Sequence, residues 1–385
     1  MQNYPETDEK IIKKGWGPAH LPIPRAMMVL ILFTLLFALL LTVVTGIRVS
    51  NQRERVSVLP EEKQQQGNSH LPGQQSNPIF SNAAYAAYPK LAENYVEEGT
   101  TVSSEYMALL NTGTGEILAG KNANERFAPA SMTKVMTLLV LCEYLQESDL
   151  DRRVTLTQEI YDTVHPTNQS NGYFGADSCF GNVYIGSKIT LRTALYGIGV
   201  SSFADCTLMA VSEVAESEEA FVEMMNAEVS AMGLKDTHFD NIIGYESEEN
   251  YTTATEMAAI LSRALQCDLI REILSTPSYR RFEIYDEENI WHGDFYSTLF
   301  NANNQKSSRF ADAGIAVGGK LDLQTAVFGG GKTGTLKLDG VWTYSLADFA
   351  TAKANGTVYV LIVGETSKKG GVITDSKAIY DQYIP

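Results

Sequence analysis

Two short segments carry side chains able to do nucleophilic chemistry together, and a third is a candidate relay. Ser131 and Lys134 stand three residues apart. On a helix that spacing places both on one face, about 5–6 Å from each other. A Lys whose pKa is lowered by burial or by a neighbouring cation can take the proton of a Ser hydroxyl. The surrounding run, Phe127-Ala-Pro-Ala-Ser-Met-Thr-Lys-Val-Met-Thr-Leu-Leu, is mostly apolar. It predicts a buried Lys134, which needs a task or a partner; the plain alternative is a helix cap followed by a surface Lys. A backbone N–H near such a helix start is a candidate to hold a developing oxyanion. The second segment is Lys332-Thr333-Gly334-Thr335, after Gly329-Gly-Gly331. On a strand, Lys332 and Gly334 share one face and Thr333 and Thr335 the other. Gly334 would let a substrate backbone come close, and Lys332 would hold a carboxylate or depress the pKa of Lys134. This is no phosphate loop, because the first Gly of that motif would fall at Ala326. The candidate relay lies at Ser201-Ser202-Phe203-Ala204-Asp205.

The elements that must position these groups change character along the chain. Tyr106 to Ala119, through Asn111-Thr-Gly-Thr-Gly115, reads as a hairpin. Helices are predicted from Ser131 to Leu145, from Thr190 to Glu216 with a break near 197–202, from Glu218 to Met232, and from Thr253 to Leu265. The last of these has Thr252 or Thr253 as its cap, and with Thr253 as cap Glu256 stands at the position a capping box needs. Leu323–Phe328, Lys332–Leu338, Val341–Ala352 and Thr357–Val363 read as strands, with turns at Asp339-Gly340 and Asn355-Gly356. Thr374 to Tyr383 reads as a closing helix. Strands at both ends and helices between them predict one antiparallel sheet built from both ends, flanked by helices, with a helical lobe inserted at about 146–320.

The chain has 385 residues and a formal charge of −16. The first 63 residues hold 8 basic and 6 acidic side chains, and the remainder 22 and 40. So acidic a body argues against nucleic acid as a partner. The uncharged run from Ala26 to Val44 is long enough to cross a bilayer. The expected layout is a cytoplasmic tail at 1–25, a membrane anchor at 26–47, a flexible linker at 48–95 and a folded domain at 96–385. Residues 83–95 are expected to hold a short helix. Cleavage after Gly46 is the alternative to a retained anchor. Basic residues flank the span almost equally, so they do not set its orientation. Cys142 and Cys206 are expected to be buried thiols, while Cys179 stands as a candidate for pairing. His165, His238 and His292 have no metal-ligand spacing. Trp291 and Tyr296 read as core aromatics or cleft walls.

The order Ser-x-x-Lys, a middle Ser motif, then Lys-Thr-Gly resembles the serine D-Ala-D-Ala carboxypeptidases among the penicillin-binding proteins, which share the α/β (α+β) fold of β-lactamases and transpeptidases with a five-stranded antiparallel sheet. The likeness extends to Asn111-Thr-Gly-Thr-Gly-Glu-Ile-Leu, Lys121-Asn-Ala-Asn-Glu-Arg, Leu191-Arg-Thr-Ala-Leu-Tyr-Gly, Met232-Gly-Leu-Lys-Asp-Thr-His-Phe and Tyr251-Thr-Thr-Ala-Thr-Glu-Met-Ala. It covers about 105 to 385. The resemblance implies Ser131 as acylated nucleophile, Lys134 as its base and Ser202 as proton relay. It further implies backbone N–H groups of Ser131 and Thr335 at the oxyanion, with Lys332 and Thr333 on the terminal carboxylate. Peptidoglycan stem peptides would be the substrates, β-lactams the acylating inhibitors, and no metal or organic cofactor would take part. The catalytic domain would then lie outside the cell membrane.

The chain departs from the family pattern in four places. Ala204 stands where the middle motif carries Asn, and Ser201 replaces Ser202 only if the register slips. Ile242-Ile-Gly244 lacks a His before the Gly. An insert spans about Val164–Gly186. Only about 20 residues follow Val363, so anchoring is expected at the amino end. No convincing Glu-x-x-x-Asn segment for deacylation precedes Lys332, which disfavours a β-lactamase. A D,D-endopeptidase or a catalytically weakened wall-binding protein remain the other readings.

Overall fold

The computed structural model describes residues 78–80, 85–99, 102–164, 179–180, 184–287, 289–303 and 308–385. The expected tail, the anchor, most of the linker and most of the insert lie outside the described residues. Among the described residues no helix is long and apolar enough to cross a membrane.

In chain order the elements open with three strands, β1 (Lys90–Glu97), β2 (Tyr106–Asn111) and β3 (Glu116–Lys121). A 3-10 turn at Ala130–Met132 leads into helix α1 (Thr133–Tyr144). Next come β4 (Arg153–Thr155), α2 (Gln158–Val164), β5 (Lys188–Thr190) and α3 (Leu191–Tyr196). A π-helical turn at Gly197–Ser201 precedes α4 (Ala204–Val211), α5 (Glu218–Ala231), α6 (Ala254–Ala264) and α7 (Asp268–Ser275). The chain continues through β6 (Ser278–Tyr285), β7 (Ile290–Tyr296) and the short α8 (Arg309–Asp312). It closes with β8 (Ala326–Leu338), β9 (Val341–Ala352), β10 (Val358–Thr366) and α9 (Gly371–Tyr383).

The main sheet runs β1-β3-β2-β10-β9-β8. Five of its strands form the expected antiparallel sheet from both chain ends. The sixth corrects the expectation: β1 pairs in parallel with β3, so the sheet is mixed. Residues 90–97, read as linker and short helix, are therefore an edge strand. Its segment Lys-Leu-Ala-Glu-Asn-Tyr-Val-Glu buries only Ala92, so no alternating apolar pattern marks it. A second correction concerns the carboxyl-terminal strands. Leu323–Phe328 and Lys332–Leu338 are not two strands; one strand begins at Ala326 and runs through a register shift between Phe328 and Gly330.

The main sheet is covered on both faces, and successive residues of its central strands alternate between two cores. Ala108, Leu110, Val360 and Ile362 join one, against α1 and α6. Met107, Leu109, Leu361 and Val363 join the other, against α9. This explains why the strands read as unbroken apolar runs. The inserted lobe is less helical than expected, because it carries its own antiparallel sheet, β4-β5-β6-β7. At the start of α6, Thr253 accepts the Glu256 N–H at 3.1 Å as a cap should. The expected capping box is nevertheless only half formed. The Glu256 carboxylate turns to the N–H groups of Lys235 and Asp236 and the Thr237 hydroxyl instead.

Candidate active site

Ser131 sits in the 3-10 turn that opens α1, the turn forced by Ala130 in the left-handed region at φ 51°. The next turn of the same helix carries Lys134, 2 % exposed as its flanks predict. Its Nζ lies 3.2 Å from Ser131 Oγ and donates to the Ile243 carbonyl at 2.7 Å. Burial lowers its pKa from 10.5 to about 7. A neutral amine there has a free lone pair facing the hydroxyl it must deprotonate.

The Ile243 carbonyl belongs to a tight loop. Asn241 Oδ1 accepts N–H bonds from Ile243, Gly244 and Tyr245 at 3.3, 2.6 and 3.2 Å. Thr137 Oγ1 donates to the Ile242 carbonyl at 2.7 Å, tying that loop to α1. Gly244 has φ 83°, and a Cβ there would stand 1.8 Å from the Ala130 carbonyl oxygen. The loop therefore presses directly on the residue before the nucleophile.

Ser202 follows the π-helical turn in the left-handed conformation, φ 63°. This is the predicted break in the helical region. Lys332 Nζ donates to Ser202 Oγ at 2.8 Å and to the Thr333 carbonyl at 3.0 Å. Ser201 instead donates to the Tyr296 carbonyl, so the register places Ser202, not Ser201, in the site. Lys332 is 1 % exposed, and its pKa falls well below the ordinary value through burial and the charges of Lys134 and Arg309. The expected coupling of the two lysines is present in the opposite sense: burial alone lowers Lys134, while Lys134 lowers Lys332.

The strand carrying Lys332 ends the sheet order, next to the turn of Ser131. A Cβ on Gly334 would meet Ala130 Cβ at 3.1 Å, Ser345 Cβ at 3.1 Å and the Pro129 carbonyl oxygen at 3.2 Å. Gly334 thus makes room for the nucleophile turn, a role distinct from the substrate approach read from sequence. On the other face, Thr333 Oγ1 lies 2.7 Å from Thr298 Oγ1, and Thr335 Oγ1 accepts from Arg309 Nη2 at 2.9 Å. Sequence reading missed Asn241, Ile243, Thr298 and Arg309. None lies in a motif with Ser131 or Lys332, and only the fold brings them in.

The remaining candidates stand apart. His238 bonds the Glu249 carbonyl at 2.6 Å and stacks on Tyr251. Trp291 is 55 % exposed, with its indole N–H on Asp286, so it is not a core aromatic. Cys142, Cys179, Cys206 and Cys267 are buried free thiols. Ala204 is buried at the first turn of α4. Among the described residues no cluster of His, Cys, Asp and Glu is placed to hold a metal.

A buried Ser–Lys pair beside a second lysine on a sheet edge is an arrangement suited to acyl transfer through a serine nucleophile. The family profile of D-alanyl-D-alanine carboxypeptidases, peptidase S11, matches residues 92–307, and the chain belongs to that family. The match ends before Lys332, which the fold supplies. The chain is 30 % identical over 181 residues to the D-alanyl-D-alanine carboxypeptidase DacF of Bacillus subtilis, covering 47 % of this chain and 42 % of that protein. It is 28 % identical over 248 residues to DacA of Escherichia coli, covering 60 % and 57 %. The chain thus spans about half the length of these curated relatives. Among solved structures, the Streptomyces K15 DD-transpeptidase matches with a TM-score of 0.58 at 22 % identity, over 73 % of this chain and 97 % of that one. Penicillin-binding protein 5 of Haemophilus influenzae matches at 0.54 and 22 %, over 73 % and 71 %. These establish the fold as that of the DD-transpeptidases.

Proposed function

We propose that the protein is a serine D-Ala-D-Ala carboxypeptidase that trims terminal D-alanine from peptidoglycan stem peptides. The observation that carries this reading is the buried Lys134 amine 3.2 Å from the Ser131 hydroxyl. Lys134 takes the hydroxyl proton as Ser131 Oγ attacks the carbonyl carbon of the penultimate D-Ala. The backbone N–H groups of Ser131 and Thr335 hold the resulting oxyanion. The C–N bond then breaks, and the proton taken up by Lys134 passes by way of Ser202 Oγ, to which Lys332 is bonded, to the leaving amine, so that Lys134 is neutral again. Thr333 and Thr335 face the terminal carboxylate. Water, deprotonated by the same Lys134, cleaves the acyl-enzyme and restores Ser131. β-Lactams would acylate the same oxygen, and the apolar run at 26–44 would hold the domain to the outer face of the membrane.

Intact-protein mass after incubation with a penicillin tests the nucleophile. The adduct is expected on the unsubstituted protein and absent from Ser131→Ala; no adduct on either refutes the reading. Release of D-Ala from a stem pentapeptide separates a carboxypeptidase from a protein that only acylates. A second reading, a wall-binding protein that acylates and turns over poorly, is favoured by Ala204, which removes a side-chain amide beside the relay serine. Adduct formation without D-Ala release is its signature.

A further inference from the structure

We propose that Glu365, near the end of β10, is a positioning residue for Ser131: its carboxylate holds the Ala128 N–H and, through it, the turn that presents the hydroxyl. This deepens the reading above and rests on it for the reaction. Glu365 belongs to none of the motifs around Ser131, Ser202 and Lys332.

The backbone around Glu365 is built to aim it. β10 pairs with β9 in regular register from Val358 to Val363, and the register shifts before Thr366 meets Tyr344. Glu365 lies in that bulge at φ 57°, the left-handed region that a long side chain seldom takes. A bulge of this kind re-aims a side chain at the cost of backbone strain. Two contacts hold it there. The Glu365 N–H donates to Ser345 Oγ at 3.1 Å, and Ser345 pairs with Gly334 across the sheet. Beside it Gly364 lies against the Phe127 ring, which a Cβ would approach to 2.8 Å. The half-buried carboxylate of Glu365 then accepts from the N–H of Ala128. Burial raises the pKa of this carboxyl, and the Ala128 N–H opposes the rise by favouring the anion.

That N–H has a particular place in the chain. Phe127 exchanges both backbone bonds with Thr252, at 2.8 and 3.0 Å. Pro129 has no N–H to give. Ala130 is already inside the turn, in the left-handed region. Ala128 is therefore the last backbone donor by which the chain can be held before the nucleophile turn. Gly244 and Gly334 close on Ala130 from two other elements. Glu365 restrains the same segment one step earlier, from the end of β10. A misplacement of about 1 Å at reacting atoms costs about 100-fold in rate, so loss of this tether should be read in acylation.

The test separates the carboxylate from the backbone strain. Glu365→Ala, Glu365→Gly and Glu365→Gln are compared by their rates of acylation with benzylpenicillin, followed by intact-protein mass over time, and by their urea midpoints. Glu365→Ala keeps the strained φ and Glu365→Gly relieves it, so the Gly variant should have the higher midpoint of the two. Both lose the bond to Ala128, and both should acylate at least about 10-fold more slowly than the unsubstituted protein. Glu365→Gln keeps an acceptor and should recover to within about threefold of the unsubstituted rate. A merely structural role would make the rates follow the midpoints instead. Glu365→Gly acylating within threefold of the unsubstituted protein, or Glu365→Gln as slow as Glu365→Ala, overturns the assignment and leaves the carboxypeptidase reading standing. Failure of the unsubstituted protein to react with benzylpenicillin overturns both.

Discussion

The most direct consequence of the site is a pH dependence set by Lys134. With its pKa lowered from 10.5 to about 7, half of the amine is neutral at pH 7, against about one part in 3,000 at the ordinary value. Acylation of Ser131 should therefore rise tenfold per pH unit below 7 and level off above it. The same shift has a cost in stability. Between about 7 and 10.5 the unfolded chain binds a proton at this residue that the folded protein does not. Stability therefore rises with pH across that window, and at pH 7 the buried amine withholds about 4 kcal/mol relative to pH 11. Lys332 is lowered too and adds in the same direction. Stopped-flow acylation with a chromogenic β-lactam from pH 5 to 9 reads the first effect, and urea midpoints at pH 7 and 10 read the second. Lys134→Met should abolish acylation and flatten part of the stability rise. A kinetic limb centred near pH 10, or a Met variant with an undiminished rise in stability, would refute the burial argument.

Asp348 gives a prediction of opposite sign. Its carboxyl is buried under Ser376 and Tyr380, and burial raises its pKa from 3.8 to about 7. Folding then favours the protonated form, so stability falls as pH climbs from 3.8 to 7. Asp348→Asn should remove that fall, worth about 4 kcal/mol, in urea melts at pH 4 and 7. Gly244→Ala forces a Cβ to within 1.8 Å of the Ala130 oxygen, so the loop or the nucleophile turn must give by about 1.2 Å to reach a tolerable 3.0 Å. A displacement of that size beside reacting atoms lowers acylation about 100-fold. Acylation within threefold of the unsubstituted rate would show that this loop does not set the position of Ser131.

What could be read in the sequence divides along physical lines. Ser131 and Lys134 were legible because a helix makes a three-residue spacing into a contact. The apolar flanks gave the burial that lowers the amine's pKa. The β9 bounds and both hairpin turns were legible because Val341 to Ala352 is strongly apolar and Asp339-Gly340 and Asn355-Gly356 favour tight reversals. The edge strand at 90–97 was not, since one buried side chain leaves no period. The lobe's small sheet was hidden differently. Arg281, at φ 57°, makes a bulge in β6 and breaks the alternation of Tyr279, Phe282 and Ile284. Ile243 contributes a backbone carbonyl, which no side-chain motif reports. Thr298 and Arg309 reach the site only because the chain returns from the lobe across β8.

The place of β10 in the sheet carries a consequence for how the domain assembles. It lies between β2 and β9, and its Tyr359 bonds Asn111, 248 residues earlier. The first hairpin must therefore wait, with one backbone edge unpaired, until nearly the whole domain has been synthesised. Pairing over such a separation is slow, and the waiting edge is a natural hold for a chaperone or for another unfinished copy. A nascent chain stopped before Val358 would own the serine, both lysines and the loop of Asn241 beside them, and still lack the sheet that holds them together, because the strand that unites its two halves follows all of them.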